Sequence, residues 1–163
     1  MKKKLITICL FLFATAFTGK AQEKKQLIGS WELEKISFEN KETTPDDAHQ
    51  EYADLFKIAI LKNGIKQGQK LTKNDEKSLN LMASGMASMN FVSIIYFKEK
   101  NIVEKENMES NFLGKYTVAS NNLIITWDNE NKEAFEIVKI DSTSLILKDK
   151  DLKIIYSYNK SKE

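Results

Sequence analysis

The chain has 163 residues, with 25 basic and 23 acidic side chains, a formal net charge of +2, and a single cysteine, histidine and proline. Every basic residue is lysine, so the chain lacks the guanidinium fork that suits bidentate recognition of phosphate or guanine. One cysteine excludes an intramolecular disulfide and any zinc site built on paired thiolates.

Met1-Lys2-Lys3-Lys4 precedes an apolar run from Leu5 to Phe17, followed by Thr18-Gly19-Lys20-Ala21. A basic start, an apolar stretch of about thirteen residues and small residues ahead of a cut define a secretory signal, and the run is too short to span a bilayer. Residues 1–21 are therefore expected to be removed, with Cys9 inside them, and the protein is expected to be exported, to the periplasm or beyond. Their four lysines go with them, leaving 21 lysines against 23 acids and a net charge of about −2. The remaining residues 22–163 suit one soluble domain with one core, no transmembrane segment and no affinity for nucleic acid.

From Leu27 the chain alternates at strand period, with Trp31 and Leu33 between Glu32 and Glu34, and predicts a first strand over 30–39. Thr44-Pro45-Asp46-Asp47 has the chemistry of a helix start, and Tyr52, Leu55, Phe56 and Ala59 share one helical face, predicting a helix over 45–62 that stops near Asn63-Gly64. Thr72 or Asn74 can cap a second helix over 73–89, on which Leu79, Met82, Met86 and Met89 recur at spacings of three and four. From Phe91 onward, seven strands follow at 91–98, 102–108, 112–118, 123–128, 133–140, 144–148 and 152–158, separated by turns rich in Asn, Asp and Ser. Eight strands, seven of them joined by short hairpins, predict a mainly β protein: an eight-stranded antiparallel up-and-down barrel with a two-helix insertion, about 45–89, between strands 1 and 2.

At Gly29-Ser30-Trp31 the first strand carries a G-x-W, and Gly114-Lys115-Tyr116 follows later. Together these resemble the lipocalins, and most of all the small exported bacterial lipocalin-like domains. The resemblance implies that Gly29 turns the chain into the barrel and that Trp31 plugs its closed end. In lipocalins an arginine packs over that indole; here the lock is either missing or supplied by a lysine such as Lys153. The helical insertion falls where lipocalins carry a lid loop and fatty-acid-binding proteins a helical portal.

Two readings of function follow. In the first, the barrel holds a small hydrophobic molecule, with Met82, Met86 and Met89 lining a flexible entrance and Tyr116, Trp127, Phe135 and Tyr156 lining the interior, where Tyr158 also points. In the second, side chains fill the barrel and its outer surface binds a protein of the cell envelope, as inhibitor or interaction module. His49, amid Asp46, Asp47, Glu51 and Asp54, reads as a solvated helix start; with one histidine, no metal or other cofactor is expected. Glu104 and Glu106 share one strand face, taken as the outer one, and Glu133 with Glu136 makes the other nearest carboxylate pair. The strand pattern suggests no polar cluster inside the barrel, and no nucleophile, phosphate-loop or zinc motif occurs, so catalysis is not expected.

Overall fold

The structure, a computed structural model, describes residues 25–44, 47, 49–64, 70–90, 93–107 and 110–161. The expected signal at 1–21, including Cys9, lies outside these residues, as do Pro45 and Asp46.

Among the described residues the order is β1 (Gly29–Phe38), β2 (Lys41–Thr43), α1 (His49–Ala59), α2 (Lys73–Asn90), β3 (Ile94–Phe97), β4 (Ile102–Glu106), β5 (Asn111–Ala119), β6 (Asn122–Trp127), β7 (Lys132–Ile140), β8 (Ser144–Asp149) and β9 (Ile155–Lys160). All neighbours pair antiparallel, and β1 pairs with both β3 and β9, which closes eight strands into a barrel. The short β2 folds back on the far part of β1, with Ile36 opposite Thr43. The helices therefore follow β2, not the first strand directly, a correction to the expected insertion point. Three residues leave little apolar periodicity to read, and Glu39 makes the hairpin in the left-handed region (φ 53°) without the Asn-Gly or Asp-Gly signal of such turns.

Alternation sets the inner wall. Trp31 and Leu33, then Ile36 and Phe38 after a bulge, face inward from β1, and Leu123, Ile125 and Trp127 do so from β6. At the end where β1 begins, Gly29 pairs with Phe97 and the fully buried Trp31 donates its indole N–H to the Leu27 carbonyl at 2.7 Å. Lys160 covers the indole, its Nζ 4.4 Å from the ring centroid and bonded to the Ile28 carbonyl at 2.7 Å. Lys153 does not serve as that lock: it sits in the β8–β9 turn at φ 63°, bonded to the Lys150 carbonyl. Gly29 has φ +133°, and a Cβ there would lie 2.6 Å from the Lys160 ammonium, so the glycine provides both an unusual backbone angle and room for the cation. Gly114, opposite Trp127 in the ladder, has a similar steric role, because a Cβ would come within 2.9 Å of that indole.

Replacing Lys160 by Met is expected to cost about 0.5–2 kcal/mol, the range of a cation–π contact from exposed to desolvated. Urea unfolding measures it. An equal loss in a Trp31→Leu background would place the effect elsewhere.

α2 begins with a reciprocal cap: the Thr72 N–H and hydroxyl both donate to Asp75 at 2.8 Å, and Asp75 N–H donates to the Thr72 hydroxyl at 3.3 Å. These bonds hold the Asp75 carboxyl below its ordinary range, the backbone donor contributing most. α1 starts at His49, later than expected, and passes into a π-helical turn at Ile60–Gly64. There the Asn63 amide donates to the Leu152 carbonyl at 3.0 Å, tying the end of α1 to the β8–β9 turn. His49 is half-buried and within 3.0 Å of the Ser88 hydroxyl, so it joins the two helices and is not the solvated helix start expected of it.

Candidate functional site

β3 leaves the end of α2, which places the C-terminal turns of α2 at the opposite end of the barrel from Gly29. Beneath them lies a cavity of about 130 Å³, roofed by Met86 and Met89 and walled by Ile95, Lys105, Ile125, Glu133, Phe135, Leu147, Asp149, Tyr156 and Tyr158. Strand alternation assembles this wall. Lys105 follows Val103 on the inner face of β4, Glu133 precedes Phe135 on β7, and Asp149 continues the phase of Leu145 and Leu147 on β8. Lys105 lies opposite Ile95, Glu133 opposite Ile125, Asp149 opposite Phe135 and Tyr156 opposite Leu147. The Phe135 and Tyr156 rings meet edge to face at 5.9 Å, and Tyr156 stacks near Tyr158 at 6.5 Å.

The barrel thus contains the polar cluster that the strand pattern did not suggest. Lys105 is 6% exposed. Burial pushes its amine below the ordinary lysine range, against the opposing pull of the Glu133 charge. Burial likewise pushes the Tyr156 and Tyr158 phenols well above the ordinary tyrosine range; neighbouring Tyr158, Asp149 and Glu133 add to the effect on Tyr156, and Glu133 and Tyr52 to that on Tyr158. At Asp149, burial raises the carboxyl more than the N–H groups of Leu152 and Asp151, at 2.6 and 2.8 Å, lower it. At physiological pH both phenols are neutral donors among apolar walls.

Of the residues singled out in the sequence, the cavity brings together Met86, Met89, Glu133, Phe135, Tyr156 and Tyr158. Met82 is 57% exposed on the outer side of α2, whose buried stripe is Leu79, Ala83 and Ala87. Tyr116 and Trp127 are buried away from the cavity, Tyr116 edge-on to Phe97 at 5.1 Å with its hydroxyl donating to the Lys98 carbonyl, and Trp127 against Phe112 at 6.3 Å. Glu104 and Glu106 face outward as expected, bonded by Lys98 and by the Tyr96 hydroxyl. Between them Lys105, overlooked in the sequence, faces in; its identity of phase with Val103 was the signal. Glu133 and Glu136 lie on opposite faces and form no pair. No group of three or more His, Cys, Asp or Glu side chains able to hold a metal occurs among the described residues.

A larger hollow of about 510 Å³ separates the outer faces of α1 and α2, but Gln50, Asp54, Lys57, Lys77 and Asn80 line it with mixed charge facing solvent. The cavity beneath α2 is the better site because Lys105, Tyr156 and Tyr158 are buried in its wall among apolar side chains.

No family model matches the chain, and no curated protein matches it in sequence. Among solved structures, it is similar to a lipocalin-like protein from Bacteroides uniformis at 14% identity and a TM-score of 0.46, covering 83% of this chain and 99% of that one. It is also similar to a DUF4847 family protein from Bacteroides vulgatus at 11% identity and a TM-score of 0.47, covering 86% and 98%. The closed meander, its Gly29-Ser30-Trp31 opening and the cation over Trp31 define the chain's architecture as that of a small lipocalin-like barrel.

Proposed function

We propose that this protein is an exported binding barrel that holds one small, mainly apolar molecule beneath α2, without turnover. The observation that carries the reading is an unfilled volume of about 130 Å³ at the α2 end of the barrel, roofed by two methionines, with Lys105, Glu133, Asp149 and two phenols among the apolar residues of its wall. That volume sets the ligand's size: a dry cavity of about 150 Å³ accommodates benzene, whereas drug-sized ligands occupy roughly 300 Å³ or more. A ligand of about six heavy atoms fits, and a long-chain lipid does not unless α2 lifts. Methionine suits such a roof because its unbranched side chain repacks at low cost. Export rests on the lysine-led apolar start of the sequence.

Binding of benzene, phenol and n-butanol to residues 22–163, followed by calorimetry and thermal unfolding, tests this. At ten times its dissociation constant a bound probe adds about 1.4 kcal/mol of stability. Met86→Trp, which extends the roof into the cavity, is expected to abolish the gain. A second reading, a barrel acting through its surface on an envelope protein, draws on Leu81, 67% exposed beside Met82 on α2. Absence of a stability gain with every probe would favour that reading.

A further inference from the structure

We propose that the cavity captures small neutral carbonyl compounds, short aldehydes above all, as a reversible imine on Lys105. The inference rests on reading the cavity as a ligand site and specifies the ligand's chemistry. Lys105 stands in the wall with Glu133 and Asp149, so an anionic ligand would meet two carboxylates within the same desolvated volume, whereas a neutral carbonyl meets no such repulsion. The Tyr156 and Tyr158 phenols, on the inward phase of β9, are the uncharged donors suited to a carbonyl oxygen. The apolar walls and a volume of about 130 Å³ suit an alkyl chain of a few carbons. Burial, which lowers the amine's basicity, increases the unprotonated fraction that attacks carbonyl carbon.

The reaction balances without an oxidant or reductant. The amine nitrogen bonds to the carbonyl carbon, the π pair moves to oxygen, and the nitrogen's proton passes to that oxygen to give a carbinolamine. Loss of its hydroxyl, with a proton, as water, and of the remaining nitrogen proton leaves the imine; the sum is amine plus aldehyde to imine plus water. Glu133 and Asp149, in the same wall as Lys105, are the carboxyl groups available to exchange these protons.

Butanal with sodium cyanoborohydride, which reduces the imine to a stable secondary amine, tests the proposal on residues 22–163 by peptide mapping. Because the cavity gathers the aldehyde beside Lys105 and burial raises the unprotonated fraction of its amine, Lys105 is expected to be alkylated several-fold faster than exposed lysines such as Lys139 and Lys150. Excess n-butanol should block alkylation of Lys105 and leave the exposed lysines unaffected. Lys105→Met should remove that adduct alone. Benzene or n-butanol binding with no preferential alkylation of Lys105 would overturn the imine and leave the binding site standing; loss of both would overturn the site as well.

Discussion

Trp31→Ala is expected to destabilise the protein by about 3–5 kcal/mol, the range for truncating a fully buried aromatic residue. Typical domains have only about 5–15 kcal/mol of stability, so the variant should populate the unfolded state at modest urea concentrations. Three effects combine at this position. The indole is 0% exposed, so its removal leaves a cavity that the neighbouring strands cannot fully close. The Leu27 carbonyl loses its donor, and Lys160 is left beside a void instead of an aromatic face. Trp31→Phe keeps most of the volume and part of the cation contact, and is expected to lose roughly half as much. Urea unfolding of both variants measures the effects, and a loss below about 1 kcal/mol for Trp31→Ala would mean that the closed end collapses around the gap.

Trp31 also shows what a sequence reading can and cannot reach. Alternation along 30–39 sufficed to place the indole inside, because a strand's two faces are fixed by its period of two. The partner of the indole did not follow from that pattern. Lys160 reaches the ring because β9 pairs with β1 with Lys160 opposite Trp31, a register that depends on the bulge at Leu33 and Lys35 and on where β9 starts. The sequence reading began the last strand at 152; Leu152 and Lys153 instead form the turn, held by the Asp149 carboxylate accepting the Leu152 N–H. Moving the strand by a few residues was enough to favour Lys153 as the lock in place of Lys160.

The candidate site was half legible for a related reason. Phe135 and Tyr156 were found because aromatic residues on an apolar phase declare themselves. Lys105, Glu133 and Asp149 occupy the same inward phases, but a charged side chain near a strand end does not declare itself as interior: alternation alone leaves Lys105 unremarked, puts Asp149 in a turn and pairs Glu133 with Glu136. In a barrel the end of a strand still faces the interior when a helix covers the mouth, and α2 does so here through Met86 and Met89. Of the methionine stripe only Met82 departs from the expected entrance: it turns outward because Ala83 and Ala87 are the residues small enough to let α2 approach its neighbours closely, whereas Met86 and Met89 line the cavity.

The same buried groups give the protein an alkaline limit. In the unfolded chain a tyrosine loses its proton as pH passes about 10, whereas Tyr156 and Tyr158 keep theirs in the folded barrel, so the folded state binds more protons above that pH. Their contribution is complete below pH 10 and is lost as pH rises from there toward the raised folded values. The slope is about 1.4 kcal/mol per pH unit for each phenol, or roughly 3 kcal/mol per unit for the two. Lys105 acts in the opposite sense: its folded value lies below the ordinary lysine value of 10.5, so its contribution is present above that value and declines as pH falls through the folded one. Stability is therefore expected to rise modestly as pH approaches 10 and then to drop steeply. Urea unfolding between pH 8 and about 11.5 tests this. In the Tyr156→Phe, Tyr158→Phe double variant the drop should become shallow while the rise remains, and in Lys105→Met the rise should vanish while the drop remains. A drop as steep in the double variant as in the parent would show that other groups, such as the Tyr116 and Tyr96 phenols that burial also raises, and not Tyr156 and Tyr158, set the alkaline limit.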